Sequence, residues 1–395
     1  MQPKTMYYVL SGLMAIGLGT TCVAYGPFLK SLGLSYAEFG LINCVFWGVV
    51  ISAELPTGAL ADGRSRSWSV AMSGFFFMTS AVVYICAQGF WSALLAEAIA
   101  GVASAFMSGA KQAWLVDSLK RSGLVDVELK KAIKKTFATD KIIAGSLMLV
   151  CGVFGNWLSQ FSGRLIWLPL VFCGLGAWLL AWRFMNGHGE PEEKLSELEA
   201  LKRSFALLRQ SRDLIWVASA LIVFGLVVSF NQYWSVYFNQ LFGDSSSSYV
   251  WLAMYPALLL AGFTIRSRHI LNGREETGIL VALLFTSLGL ILATVFKSWA
   301  FVLPAVVLHE LGRGMFEPLT DAFIHGRVES SFRATFGSLQ SLIGRIGFSL
   351  TLLVVWFSLR YAPNTNATIA TVWTVCGSLI LLGTVVLFVL RPKEK

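Results

Sequence analysis

Twelve apolar stretches, each about as long as a helix that crosses a bilayer, limit the fold of this chain more than any other feature. Only 13% of the residues are charged, against about 25% in soluble domains. We therefore expect an all-α polytopic membrane protein with twelve transmembrane helices. The stretches lie near residues 6–29, 36–60, 67–88, 91–119, 134–160, 163–185, 214–240, 248–266, 276–296, 299–325, 333–358 and 368–390.

The positive charges are distributed unevenly among the loops between these stretches. If both termini face the cytoplasm, 23 of the 31 Lys and Arg residues lie in cytoplasmic loops and tails, and only Lys30, Arg164, Lys297 and Arg360 face the other way. Such a bias is typical of cytoplasmic loops, and it explains the net charge of +9 without a nucleic-acid partner. The expected location is a bacterial inner (cytoplasmic) membrane, with both termini in the cytoplasm.

The longest polar interval, residues 186–213, divides the chain into two six-span halves. We predict an N-terminal six-helix bundle over 1–185, a cytoplasmic linker with an amphipathic helix over 186–213, and a C-terminal six-helix bundle over 214–395. Span four contains Glu97-x-x-x-Gly101 and span ten contains Glu310-x-x-x-Gly314. This short internal repeat favours two pseudo-symmetric bundles with functional groups at corresponding positions.

Span four carries ionisable residues at depths where charge is costly. In a continuous helix, Glu97 and Lys111 share one polar stripe, and Asp117 points to the opposite side. The pattern predicts a cavity face with an acid and a base. The alternative is structural ion pairs between helices.

Span ten is more heavily charged, with Glu310, Arg313, Glu317 and Asp321 on one helix face and His309 beside them. Three carboxylates that close together in a low-dielectric medium cannot all stay ionised. We therefore expect proton coupling mainly at Glu310, Glu317 or Asp321, with Glu97 as the candidate in the first half. A metal site is not expected, because only one histidine lies at useful depth on this helix.

The remaining candidates concern the substrate. Lys111, with Arg345 in a serine-rich stripe of span eleven, is expected to hold an acidic group of the substrate from both halves, because an unpaired intramembrane base needs an acid or a bound anion. An acid on another helix, such as Glu54 or Asp140, is the alternative partner of Lys111. For Trp114 and Trp234, cavity lining and ordinary packing are both open. The predicted substrate-binding set is Lys111, Arg345, Arg313, Trp114, Asn231, Gln232, Trp234 and Glu54.

The turn after span two, Gly58-x-x-x-Asp62-x-x-x-Arg66, resembles the signature loop of the major facilitator superfamily, with Gly63 and Ser65 where the family usually has Arg and Gly. The resemblance implies a latch that joins the two halves when the transporter is open to the outside. The alternative is an isolated ion pair of little energetic value. Carried over by position, the latch residues are Gly58, Asp62, Arg66, Asp117 and Arg333.

A closer resemblance, to the drug:proton antiporter branch of that superfamily, rests on Glu54-Leu-Pro-Thr-Gly, on the run from Ser108 to Leu119 and on the run from Arg333 to Arg345. Relatives often have acids at the position of Lys111, so this chain is expected to prefer a more acidic substrate. Span five lacks the Gly-Pro pair of the antiporter signature.

These features predict a secondary active transporter that exports an amphiphilic, anionic drug or siderophore-like metabolite in exchange for protons by alternating access. No Walker-type run for ATP binding is present, and no cofactor is expected. Import of an anionic nutrient or metal chelate is the main alternative. A membrane-embedded enzyme and a non-transporting sensor are less favoured. The expected partners are a small-molecule substrate, protons and the lipid bilayer, and the protein is expected to be a monomer.

Overall fold

The computed structural model describes residues 2–63, 65–185, 211–268, 271, 273–328 and 333–392, together with residues 202, 205, 206, 208 and 209. Throughout this part of the chain, all regular structure is helical. Helices lie at the positions of all twelve predicted spans, which confirms the all-α polytopic fold. The predicted amphipathic helix of the linker lies mostly outside the described residues and stays a prediction.

The helices of the first half are α1 (Pro3–Cys22), α2 (Tyr25–Ser31), α3 (Tyr36–Gly63), α4 (Arg66–Ile85), α5 (Phe90–Met107), α6 (Ala110–Arg121), α7 (Asp126–Ser159), a 3₁₀ turn (Gly163–Trp167) and α8 (Leu168–Phe184). Those of the second half are α9 (Arg212–Gly225), α10 (Val228–Phe242), α11 (Ser246–Arg268), α12 (Glu275–Val295), α13 (Trp299–Arg327), α14 (Arg333–Leu359) and α15 (Asn366–Val389).

Ten helical segments of the described chain are long and apolar enough to cross a membrane, or eleven if the bent pair α1 and α2 is one span. The remaining predicted span is α13, a helix of 29 residues. At about 1.5 Å per residue it is long enough to cross a bilayer. Its four acidic and basic residues between Glu310 and Asp321 explain why composition alone does not mark it as a span. Such a charged helix is expected to be shielded from lipid by its neighbours.

Two compact units are distinguished within the chain. The first unit comprises Met1–Leu34 and Val45–Glu197, and the second unit comprises Ser35–Cys44 and Leu198–Lys395. Helix α3 therefore contributes residues to both units. Its beginning is anchored within the second unit, where the Tyr233 hydroxyl donates to the Tyr36 carbonyl oxygen at 2.8 Å.

Glycines allow the helices of the first unit to pack with their backbones nearly in contact. A Cβ atom built on Gly155 of α7 would overlap the carbonyl group of Thr20 in α1. Similarly, a Cβ on Gly174 of α8 would lie 2.8 Å from the Gly74 carbonyl oxygen in α4. Small residues at such crossings are a common basis of helix association in membranes.

Candidate functional site

Span four is divided between two helices rather than formed by one, so the predicted continuous stripe from Glu97 to Lys111 is wrong. Helix α5 ends at Met107 and α6 begins at Ala110. The break contains Gly109 with φ 73°, a left-handed conformation that glycine adopts without steric cost. Because a spacing of 100° per residue holds only within a regular helix, Glu97 and Lys111 belong to two separate polar clusters.

The first cluster surrounds Glu97, which is only 9% exposed. The hydroxyl of Tyr84 donates a hydrogen bond to the Glu97 carboxylate, and the hydroxyls of Tyr84 and Tyr25 lie 3.3 Å apart. Trp167 stacks on the Tyr84 ring with 3.9 Å between ring centroids. Among the described residues, no cation pairs with Glu97. The arrangement is a carboxyl group enclosed by aromatic rings, with tyrosine hydroxyls as its polar neighbours.

The tyrosine partners of Glu97 come from helix ends that the sequence did not mark as functional. Tyr25 begins α2, directly after the 51° bend that separates it from α1, and Tyr84 lies in the last turn of α4. Tyrosines near the ends of spans usually anchor helices at the membrane interface. Only the tertiary packing distinguishes these two from ordinary anchors.

The second cluster surrounds Lys111 at the start of α6. Its Nζ lies 3.8 Å from the Asp140 carboxylate, donates to the Ser11 hydroxyl and sits 4.4 Å from the centroid of the Tyr7 ring. Asp140 was one of the two alternative acids considered from the sequence. Lys111 therefore has the acidic partner that the sequence left open as an alternative, and its charge does not by itself call for a bound anion.

Glu54 lies beside the break in span four. The hydroxyl of Ser108, the residue that follows α5, donates to the Glu54 carboxylate at 2.9 Å. Glu54 itself lies in the part of α3 that belongs to the first unit. This places a half-buried acid at the irregular segment, where the backbone of span four leaves its helical course.

The predicted acidic cluster of span ten is not gathered at one place. Glu310 is 1% exposed and pairs with Arg313 at 2.6 Å. Glu317 is exposed, and Asp321 accepts a hydrogen bond from Gln340 of α14 at 3.1 Å. The expected gathering of all three acids is not found, because Glu310 is 7 and 11 positions from Glu317 and Asp321, which is about 10–16 Å along the helix axis.

His309 lies next to Glu310 and is fully buried. Its Nδ1 is 2.9 Å from the Thr286 carbonyl oxygen, and the Phe230 ring packs against the imidazole with 4.4 Å between centroids. Nε2 has no hydrogen-bond partner in the described part of the chain. Together, His309, Glu310 and Arg313 form a polar cluster within the second unit.

The Glu-x-x-x-Gly repeat has the same structural context in both units. Glu97 and Glu310 are buried. A Cβ on Gly101 would lie 3.0 Å from the carbonyl oxygen of Phe46 in α3. A Cβ on Gly314 would overlap the carbonyl oxygen of Leu258 in α11. These neighbours belong to spans two and eight, which are themselves counterparts. In each unit, the glycine of the short repeat therefore marks a close crossing of two helices, and the buried glutamate lies one helical turn before that glycine.

The first unit contains a buried ion pair at the latch position, between Arg66 at the start of α4 and Asp117 near the end of α6. The second unit has a counterpart that sequence reasoning missed: Arg327 at the end of α13 pairs with Glu276 at the start of α12 and, at 2.9 Å, with Asp213. The charges are reversed between the two units. The sequence contained a clue to this second pair, because both pairs join the start of one span to the end of the next span, at corresponding positions in the two halves.

The other latch candidates are only partly described. Gly58 lies within α3 and is half-buried. The side chains of Asp62 and Arg333 lie outside the described residues, so their predicted contacts stay predictions.

The predicted substrate-binding aromatics and amides differ in their surroundings. Trp114 and Trp234 are buried, and Trp234 stacks on Trp251 with 5.9 Å between ring centroids. Gln232 donates to the Phe39 carbonyl oxygen at 3.3 Å. Asn231 is exposed, and Arg345 is half-buried on α14. For Trp234, this ring contact favours packing over cavity lining.

Comparisons with known proteins agree with this architecture. An uncharacterised MFS-type transporter, YxaM of Bacillus subtilis (strain 168), is 22% identical over 418 aligned positions, which cover 99% of this chain and 96% of the relative. A solved structure of the nucleoside transporter NupG has a TM-score of 0.78 at 16% identity, and the match covers 100% of this chain and 100% of that one. The POT family transporter PepTSo has a TM-score of 0.77 at 12% identity, with 98% and 97% covered.

At these identities the solved structures show the fold alone, and they do not confirm the predicted drug:proton antiporter branch. The family model described as Major Facilitator Superfamily matches residues 7–352. This match and the YxaM relative indicate a membrane transporter rather than an enzyme. The chain therefore belongs to the major facilitator superfamily.

Proposed function

We propose that this protein is a proton-coupled secondary transporter that exports an amphiphilic small organic molecule by alternating access. It acts as a monomer in the cytoplasmic membrane, with both termini on the cytoplasmic side. The uneven distribution of Lys and Arg among the loops supports this orientation. The export direction of solute transport and its coupling to protons are supported by the resemblance to drug:proton antiporters.

The observation that carries the coupling is the environment of Glu97. A buried carboxylate with no cationic partner is costly as an anion, so burial favours its neutral, protonated form. Tyr84 donates to this carboxyl group, which stabilises the anion when the proton leaves. A carboxyl group that can be either protonated or ionised is suited to bind and release one proton in each transport cycle.

The structure changes the order of the coupling candidates. Glu310 is more deeply buried than Glu97, but Arg313 compensates its charge at 2.6 Å. An acid held beside an arginine favours the ionised state. Glu317 is exposed and Asp321 is bound to a neutral amide. We therefore place the coupling proton on Glu97 first, and assign the span-ten acids a secondary role.

The clusters also bear on the class of solute. Lys111 and Arg313 each face a carboxylate, so neither adds a net positive charge for an anion. These two residues therefore do not support a preference for anionic drugs or siderophore-like metabolites, and Arg345 is the remaining basic residue of the predicted substrate-binding set. The solved structures named above include a nucleoside transporter and a POT family transporter. Neutral and zwitterionic solutes therefore belong in the same test.

The experiment uses purified protein in proteoliposomes with a pH-sensitive dye inside and the membrane potential clamped at zero. Nucleosides, short peptides, anionic amphiphiles and cationic amphiphiles are added outside, with protein-free liposomes as the control. Antiport exchanges an entering solute for leaving protons, so one class is expected to make the lumen alkaline. An acidic shift would instead show symport and overturn export by exchange. Transport of a labelled solute with no pH change would overturn proton coupling.

The two reversed ion pairs give a second prediction. Asp117→Arg places two positive charges together in the first unit and is expected to slow exchange at least tenfold, since the pair is buried. Arg66→Glu combined with Asp117→Arg is expected to restore most of the rate, because the second unit uses that polarity at the corresponding place. The measurement is the exchange rate together with the solute dissociation constant.

The matched control for this prediction is the swap Glu276→Arg with Arg327→Glu in the second unit, combined with Asp213→Asn because Arg327 also pairs with the Asp213 carboxylate. If the pairs control conformation, solute affinity should stay within a few-fold in every variant that folds. A large loss of affinity with a normal rate would instead assign Asp117 to the binding site.

A further inference from the structure

A groove on the outer surface of the second unit lies between α9 and α15. Its volume is about 620 Å³, within the range of about 300–1,000 Å³ that is typical of small-molecule sites. Most of its lining is apolar, and several of these side chains are widely exposed, such as Leu382 at 60%. The main lining residues are Ile215, Ser219 and Val223 of α9, Leu382 and Val386 of α15, and Leu390, which follows α15.

The walls of this groove are fixed by direct contacts between the two helices. A Cβ on Gly383 would lie 2.8 Å from the Val223 side chain, so the helices touch at this point. The indole N–H of Trp216 donates to the Leu387 carbonyl oxygen at 2.8 Å. The polar atoms at the base are therefore satisfied, and what the groove offers an occupant is apolar surface.

One end of the groove carries positive charge. Arg212 is the first residue of α9 and lines the groove, and Arg391 follows Leu390 just beyond α15. Both are exposed. In the described part of the chain, neither guanidinium has an acidic partner: the neighbouring Asp213 pairs with Arg327, and Arg391 lies over the Phe388 ring at 5.0 Å. The two arginines mark the boundary where α9 and α15 leave the apolar region.

From this combination of an apolar groove and two arginines, we infer that the groove binds one anionic phospholipid. One acyl chain of the lipid lies between α9 and α15, and the phosphate of the lipid lies at Arg212 and Arg391. An ordinary lipid-facing surface needs only apolar side chains. Two arginines at the mouth of an apolar groove, without an acidic partner among the described residues, add a requirement for negative charge. Basic pockets between transmembrane helices recognise anionic lipid headgroups by this combination.

The test is native mass spectrometry of the full-length protein with added phosphatidylglycerol or phosphatidylcholine. Wild type is expected to retain one phosphatidylglycerol in preference to phosphatidylcholine. Arg212→Gln should weaken retention about fivefold, and Arg212→Gln with Arg391→Gln about twenty-five-fold, at the usual strength of one basic residue near an anionic membrane surface. The control is Arg360→Gln, an exposed arginine that is not part of the groove lining and should leave retention unchanged.

A second variant tests the groove itself. Ser219 is an exposed serine that donates to the Ile215 carbonyl within its own helix, so Ser219→Trp fills the groove without removing a contact between helices. Ser358 donates to Val354 in the same way on another helix, and Ser358→Trp is the matched control. Loss of the retained lipid only in Ser219→Trp supports the site. Equal retention of both lipids, or no effect of the arginine changes, would show ordinary annular lipid and overturn the proposal.

Discussion

Glu97→Gln is expected to abolish accumulation of solute driven by a pH gradient, while exchange of labelled for unlabelled solute continues. Glutamine has nearly the same shape and still accepts the hydrogen bond from Tyr84, but it cannot take up or release a proton. Accumulation requires a net proton flux, whereas one-for-one exchange does not. The measurement compares the two modes in proteoliposomes made from the same preparation.

Two further variants make this result specific. Glu38→Gln is the matched control, because Glu38 accepts hydrogen bonds from the Ser35 amide and hydroxyl next to the start of α3, and coupling should survive its loss. Glu310→Gln tests the competing carrier in span ten. Normal accumulation in Glu97→Gln, with loss in Glu310→Gln, would move the coupling proton to the second unit.

Arg313→Met is expected to lower the free energy of unfolding by about 3–5 kcal/mol, because Glu310 must then either stay charged and unpaired in the interior or take up a proton to avoid that cost. Arg313→Met combined with Glu310→Gln should recover most of that loss, since no buried charge then remains. The measurement is denaturant unfolding of the purified protein in one detergent. Arg360→Met is the control, and as an exposed position it should change stability by less than about 0.5 kcal/mol.

Additive losses in the double variant would contradict this account of the pair. They would show that each side chain has a separate structural role, and that the contact at 2.6 Å contributes little by itself. In that case Glu310 would also return as a candidate for the coupling proton, because Arg313 would not be what keeps it ionised.

The sequence was sufficient to predict the helices and the buried acids. Span length follows from bilayer thickness, so twelve apolar runs define twelve helical positions without knowledge of their packing. Glu97 and Glu310 were identified because intramembrane charge is rare, and both are buried. The ion pair between Arg66 and Asp117 joins two residues that the signature loop and span four had already singled out.

The partners of these residues were not predictable by the same reasoning. A helical projection assumes one regular helix, and Gly109 breaks span four between Glu97 and Lys111. Lys111 meets Asp140 from α7, and Glu97 meets Tyr84 from α4. Such contacts depend on how separate helices pack, which periodicity does not encode.

The central claim, that Glu97 carries the coupling proton, is tested most directly by infrared difference spectroscopy of wild type and Glu97→Gln. Spectra are recorded as the pH is lowered, with and without transported solute. We predict a protonated carboxyl C=O band that shifts when solute binds and is missing in Glu97→Gln but present in Glu38→Gln. A spectrum in which Glu97 stays ionised over the whole range, or in which the band persists in Glu97→Gln, would contradict the account.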